Sequence, residues 1–377
     1  MITLRPSPRS LRFRQGPEAA PWRSADERVG VSWFSLGRDA LGSIAATLAT
    51  IADAVVWLPA YSCKQVLEPF ASRGIRIEWY DVRPDLQIDW SVVLDARRRV
   101  RGTHVLLLID YFGIPQHVPT SVIAELERAF SVVVRDAAQG LPYEGETVLV
   151  GRDRGFLVHS FRKPLPLPEG SMLRTQGDAT HVPPEITARD WCRARAFVAV
   201  EWVGLGVPKI AAAAWFEQAR AVLKRRDRHG APPFATSRML TERVDTDHVR
   251  LARRANAQRL MEALRPYTLV DTIGPNACPY YLPLLLQDVA PVEDRFRQEG
   301  VEVTRFWSLR GIEDSAAHPV ASMMSRHLLC LPTHQGLTDT QLDQLLDSAR
   351  RSLAHAHPYE HARVHSFDTT PLATRSG

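Results

Sequence analysis

The chain has 377 residues, 45% hydrophobic and 24% charged, a balance that excludes a disordered or collagen-like chain and leaves room for one large α/β unit with a smaller companion. Its formal net charge of +5 comes almost wholly from scattered arginines, since only four of the 47 Lys+Arg residues are lysine (Lys64, Lys163, Lys209, Lys224), and without a clustered basic stripe no nucleic-acid partner is indicated. Four widely separated cysteines (Cys63, Cys192, Cys278, Cys330) without metal-ligand spacing argue against metal or disulfides and for a reducing, cytoplasmic setting, and no apolar run suggests a membrane span or a secretory leader.

The first 30 residues, rich in Pro and Arg, read as an arm. A helix is predicted just after Gly37, where Ala40, Leu41, Ile44, Leu48 and Ile51 recur at helical spacing. Strands at 54–59, 75–82, 104–113, 131–136, 147–151 and 155–161 then alternate with helical stretches such as KQVLEPFASRG and SVIAELERAF. Strands that are apolar throughout and separated by helices predict an α/β fold with a mainly parallel sheet between helices. Long helical segments follow residue 185, and then a helix through RRANAQRLMEAL, a strand in PYYLPLLLQD, a helix in VEDRFRQEG, a strand in VEVTRFW and a last helix in DTQLDQLLDSARRSLA. This order predicts a large domain over 31–240, a smaller α+β domain over 241–355 and a polar, disordered tail over 356–377.

The stretch SFRKPLPLPEGS (160–171) places a lysine before prolines at every second position. Such spacing forbids a helix interior and predicts extended, stiff backbone around Lys163. Ser160 to Lys163 also fits the S-x-x-K nucleophile motif, but no lysine in the chain is followed by Thr-Gly, so the partner motif of that acyl-transfer chemistry is missing. Ligands of open parallel sheets bind beyond the carboxyl ends of the strands, and two polar residues are predicted there, Asp136 after SVVV and Lys163 after GFLVHSF. A lysine nucleophile for a carbonyl and an aspartate for a pyridine nitrogen are what pyridoxal 5'-phosphate (PLP) requires. The turn at Gly37 and Arg38 could offer helix N-terminal N–H groups to the phosphate, and Ser160 a hydroxyl. Taken singly, a strand-end aspartate is more often a cap and a lone lysine a solvated charge. Their order along the chain gives the set its meaning.

With these residues in order, the chain resembles the DegT/StrS family, the PLP-dependent sugar aminotransferases of fold type I. The resemblance rests on GRDAL (37–41), LPAYSCKQVLEPFASRGIRIEWYDV (58–82), DYFGIP (110–115), RDAAQG (135–140), SFRKPLPLPEGS and the C-terminal run from RRANAQRLMEAL to LPTHQGLTDTQLDQLLD, spanning roughly residues 30 to 352. It implies that Lys163 forms the Schiff base and moves the substrate proton, that Asp136 binds the pyridine nitrogen and Gln139 the ring's hydroxyl side, and that Ser160, Gly37 and Arg38 hold the phosphate. Where family members carry an aromatic against the cofactor ring this chain has Cys63, with Tyr61 nearby as a replacement. Other departures are Arg38 in place of Thr or Ser, a Ser-to-Lys spacing two residues shorter than usual, and Pro168-Glu169-Gly170-Ser171 for Gly-Glu-Gly-Gly. Family members build each site from two subunits, which implies a homodimer.

The leading expectation is therefore an aminotransferase moving an amino group from an amino acid to a keto or aldehyde acceptor. A PLP-dependent dehydration or elimination on the same scaffold is one alternative, and a catalytically degenerate binding or assembly partner is another. Arg38, Arg162, Arg238 and Arg305 are candidates for a donor carboxylate, Tyr111 and Trp307 for a substrate wall, and His334 for a small-domain or loop-capping residue.

Overall fold

Apolar β-branched runs build the centre of the molecule. The computed structural model describes residues 1–7, 10–14, 29–146, 155–167, 169–176, 235–309 and 317–359. Its first part runs β1 (Val29–Phe34), α1 (Gly37–Leu48), β2 (Ala54–Pro59), α2 (Lys64–Ala71), β3 (Arg76–Tyr80), α3 (Trp90–Arg98), β4 (Thr103–Ile109), α4 (Thr120–Ala129), β5 (Val132–Asp136), β6 (Gly155–Ser160) and β7 (Ser171–Gln176). These strands form one sheet of order β1-β7-β6-β5-β4-β2-β3. Strands β2 to β6 pair in parallel, while β7 runs antiparallel to both β6 and β1. The sheet is thus mainly parallel, as the continuous apolar runs predict, because residues such as Val105–Leu108 are buried on both faces.

The second part comprises α5 (Ala235–Arg243), α6 (Thr246–Ala263), β8 (Tyr281–Leu285), α7 (Ala290–Gln298), α8 (Pro319–His327), β9 (Leu328–Pro332) and α9 (Asp339–Leu353), with β8 and β9 antiparallel. Alternation along these two strands divides the core. Tyr281, Leu285, Leu328 and Cys330 join the core of the large sheet, whereas Leu282, Leu284, Leu329 and Leu331 pack with Val292, Phe296, Leu342 and Leu345 of α7 and α9.

Several expectations need correction. VEVTRFW is not a continuous strand: it makes only isolated bridges, Val301 to Ile2 and Thr304 to Cys330 on the edge of β9. Helix α3 escapes a periodicity reading, since its apolar stripe is only Trp90, Val93 and Leu94; what starts it is Asp89, whose Oδ1 accepts from Ser91 N (3.1 Å) and Val92 N (3.3 Å). The start of the expected tail is docked, with Gln287 N donating to His357 O (3.0 Å) and Tyr359 N to Leu285 O (3.2 Å). The expected strand at 147–151, the long helices of 194–226 and residues 360–377 lie outside the described residues.

Candidate active site

Two adjacent parallel strands deliver the first pair of polar residues. β5 ends in Asp136, which registers with Val158 of β6, and β6 ends two residues later in Ser160, so both side chains leave the same face of the sheet. Asp136 is 5% exposed. Its Oδ1 accepts from Ala138 N at 2.9 Å, and among the described residues the carboxylate joins no ion pair. A buried carboxylate without a cation is costly to maintain, which marks the position as one shaped for a positive partner.

The start of α1 closes over this pair. A Cβ on Gly37 would lie 3.6 Å from Ser160 Cβ and 3.9 Å from Ala138 Cβ. Ser160, at the end of β6, thus lies directly beside the helix N-terminus, whose first N–H groups lack intrahelical acceptors. Asp39 Oδ2 accepts from Leu36 N (3.0 Å), and Gly170 N donates to Ser35 O (2.8 Å), so the β1–α1 turn is held from both sides. Glu169, itself buried, adds a hydrogen bond from the Ser35 hydroxyl. Sequence reading had assigned Glu169 no role.

Lys163 lies on a turn, and the expected extended backbone is not found there. Lys163 N donates to Ser160 O (3.1 Å) and Leu165 N to Phe161 O (2.9 Å), wrapping residues 160–165 into one helical turn. Pro164 fits it because Ser160 O, the carbonyl four residues back, is already taken by Lys163 N, so the turn needs no N–H at 164. The lysine is half-buried.

From the β2 side, Cys63 reaches the same space. It is half-buried as the N-cap of α2. Burial raises its thiol above the ordinary value; the Gln65 contact and the Lys163 charge pull it down, and Asp136 pushes it up. Cys63 thus lies within electrostatic range of both predicted site residues. Tyr61 is instead enclosed: its ring stacks on Tyr111 (5.8 Å between centroids) and meets Trp307 (5.2 Å), and its hydroxyl donates to Phe306 O. Burial holds the Tyr61 and Tyr111 phenols well above their ordinary value.

Gln139 is buried beside the turn Tyr111–Gly113, its Oε1 accepting from Phe112 N at 2.7 Å. Among the described residues its Nε2 donates no hydrogen bond, so the donor end of the amide remains available. Arg38 is half-buried at the α1 start. Two of the arginines weighed for substrate are occupied elsewhere: Arg238 pairs with Glu242 and lies over the Trp33 ring, and Arg305 pairs with Glu293 at 2.6 Å. His334 is a loop cap, its Nδ1 accepting from Gly336 N (3.2 Å) and its Nε2 donating to Thr3 O (2.9 Å).

The opposite face of the same strands carries a buried charge cluster that sequence reading missed. Arg135 Nε donates to Asp110 Oδ2 (2.9 Å), while Glu146 meets His159 Nε2 (3.0 Å) and Arg174 Nη1 (3.4 Å). Burial pushes the Glu146 carboxyl up, but His159, Arg135 and Arg174 outweigh it and hold the group below its ordinary value. Strand alternation puts Arg135 and His159 on the face away from Asp136 and Ser160, so the cluster braces the site strands from behind.

Among the described residues no helix is long and apolar enough to cross a membrane, and no group of His, Cys, Asp and Glu is arranged to hold a metal. No family model matches the chain, and no curated protein does. Solved structures do. A DegT/DnrJ/EryC1/StrS aminotransferase from Brucella abortus is 16% identical, with 85% of each chain covered and a TM-score of 0.57. The PLP form of a protein from Streptococcus pneumoniae assigned as a sugar aminotransferase is 13% identical, covering 85% of this chain and 86% of its own, with a TM-score of 0.60. GDP-4-keto-6-deoxymannose-3-dehydratase, solved with GDP-perosamine, is 16% identical, covering 85% of this chain and 88% of its own, with a TM-score of 0.58. At these identities the likeness establishes the fold: the chain has the fold type I architecture of the sugar aminotransferases.

Proposed function

We propose that the protein is a PLP-dependent aminotransferase acting on a keto or aldehyde acceptor, a sugar or a specialised-metabolite intermediate. The observation that carries this reading is the buried Asp136 carboxylate, in no ion pair among the described residues and at the strand end next to the Gly37–Ser160 cradle. The donor set fits the cofactor. Asp136 would hold the pyridine nitrogen in its protonated form, Gln139 Nε2 would meet the ring hydroxyl, and the α1 N-terminus with Gly37, Arg38 and Ser160 would take the phosphate. Cys63 would lie against the ring where family members carry an aromatic, with Tyr61 supporting that wall from within the core. When bound, PLP supplies a carbonyl for amines and an electron sink that makes the substrate's Cα–H acidic.

The remaining work belongs to the chain. Lys163 would hold the group through its Nζ, and its amine, when free, would serve as the base that moves a proton at the substrate carbon. The turn of residues 160–165, its backbone fixed by hydrogen bonds to Ser160 O and Phe161 O, would hold that amine in place. A dehydratase shares the scaffold, so an acceptor screen should score loss of water as well as gain of an amine. By the same resemblance we propose a homodimer, to be checked by sedimentation against the 42.3 kDa chain mass.

The decisive experiment is borohydride reduction of the protein with added PLP, followed by peptide mass spectrometry, on the native chain and Lys163→Ala. Trapping on the Lys163 peptide, with a visible absorption band that the variant lacks, supports the reading. Free PLP in both samples overturns it and favours a binding or assembly role.

A further inference from the structure

Arg253 lies within α6 and is 1% exposed, yet among the described residues it forms no ion pair. Every hydrogen bond of its guanidinium goes to a neutral acceptor. Nε donates to Gln335 Oε1 (2.9 Å), Nη1 to Pro279 O (3.2 Å) and Tyr280 O (3.3 Å), and Nη2 to Pro164 O (2.7 Å). Its Cζ also lies 5.9 Å from the Tyr280 ring centroid. Burying a cation without a carboxylate is an expensive way to fill a core, and an apolar side chain of similar volume would pack at lower cost. What the arginine adds is a planar fork that fixes several carbonyls at once.

The acceptors show what is being fixed. Pro164 follows Lys163, and having no N–H it offers the backbone only its carbonyl as a handle. The turn is tied toward β6 on one side by Lys163 N to Ser160 O and Leu165 N to Phe161 O. Arg253 grips it from the other side, aided by Gln335 Nε2 at 3.4 Å from the same carbonyl. The second pair of acceptors lies on the loop before β8. That loop pairs with the turn after β4, through Cys278 N to Gly113 O (2.9 Å) and Tyr280 N to Phe112 O (2.8 Å), and Phe112 N in turn donates to Gln139. One guanidinium therefore joins the Lys163 turn to the loop before β8, which connects to Gln139 through the turn Tyr111–Gly113.

We propose that Arg253 is a positioning residue that sets the placement of Lys163 through the Pro164 carbonyl. It touches neither substrate nor cofactor, and the inference rests on the PLP reading above. A displacement of the lysine backbone moves Nζ off its line of attack, where an error near 1 Å weakens a reaction strongly.

The test uses the full chain with PLP, comparing native, Arg253→Met and Arg253→Lys. Three quantities are measured: thermal unfolding, the circular dichroism of the bound cofactor in the visible band, and the yield of borohydride trapping on the Lys163 peptide. Arg253→Met should lower the trapped yield by about tenfold or more and alter the cofactor's dichroism. Arg253→Lys, which keeps the charge but not the fork, should fail to restore either. Native trapping and dichroism in both variants would overturn the inference while leaving the PLP reading intact. Should Arg253→Met not fold, Gln335→Ala removes a second donor to Pro164 and the Nε acceptor of Arg253 from a half-buried position. It should give an intermediate loss of trapping, and an unchanged yield there would also overturn the proposal. Absence of trapping in the native chain would overturn the PLP reading and this inference together.

Discussion

At the scale of single residues, Cys63 shows how one substitution of residue type alters a site's chemistry. Burial keeps the thiol protonated, and the Lys163 charge only partly offsets this, so Cys63 is an apolar, polarisable contact and a slow nucleophile. Cys278 and Cys330, in contrast, are fully buried. Iodoacetamide should therefore modify the Cys63 peptide in preference to the peptides of those two, and saturating PLP should protect Cys63 several-fold. Equal labelling with and without PLP would remove Cys63 from the cofactor's face. Replacing it by Tyr tests whether an aromatic there tightens PLP binding, read by fluorescence titration.

At the scale of elements, the turn after β4 matters most. Phe112 (φ +55°) and Gly113 (φ +76°) both adopt left-handed backbone, and a Cβ on Gly113 would lie 2.1 Å from Cys278 O and 2.8 Å from Gln139 O. Both obstacles are backbone, so neither can swing aside. Gly113→Ala is expected to destabilise the protein by roughly 3 kcal/mol or more, seen as a lowered midpoint in urea unfolding, and to disturb Gln139 and the loop before β8 together. The control is Gly145→Ala: Gly145 also has positive φ (+75°) but nothing within 4 Å of its Cβ position. It should cost clearly less, about 1 kcal/mol.

Across the whole molecule, the N-terminal segment is tied to the second part of the chain. Ile2 bridges Val301, Leu4 N donates to Glu302 Oε2 (3.0 Å), and Thr3 O accepts from His334. Burial, followed by the Arg253 charge, lowers the His334 pKa to about 4, against the opposing pull of Thr3 O. Protonation would also place an N–H against the Gly336 N–H that Nδ1 now accepts. The folded value lies below the unfolded one, so the unfolded chain binds the proton more readily and stability falls as pH drops from about 6.5 toward 4. The full loss is roughly 3 kcal/mol once pH is below both values. Urea unfolding at pH 7 and pH 4.5 should show this decline in the native protein and a shallower one in His334→Gln. Parallel declines would mean that other groups set the acid limit.

The sequence by itself determined the alternation of β2 to β6 with α1, α2 and α4, the mainly parallel pairing and the placing of Asp136 and Ser160 at strand ends, whereas β1, α3 and β7 have no counterpart in it. These follow from local periodicity and from strand-end chemistry, both written within a few neighbouring residues. Tertiary structure decided the rest. The Lys163 segment is a turn because Ser160 O and Phe161 O offer acceptors that a reading of proline spacing leaves out. Arg253 cannot be told from its half-buried neighbour Arg254 in the string RRANAQ; full burial and four acceptors from three segments distinguish it. Gly37, Ala138 and Ser160 are far apart along the chain, and only the packing of α1 against the end of β6 brings them to one place, since contacts between distant segments depend on the whole core and not on local pattern.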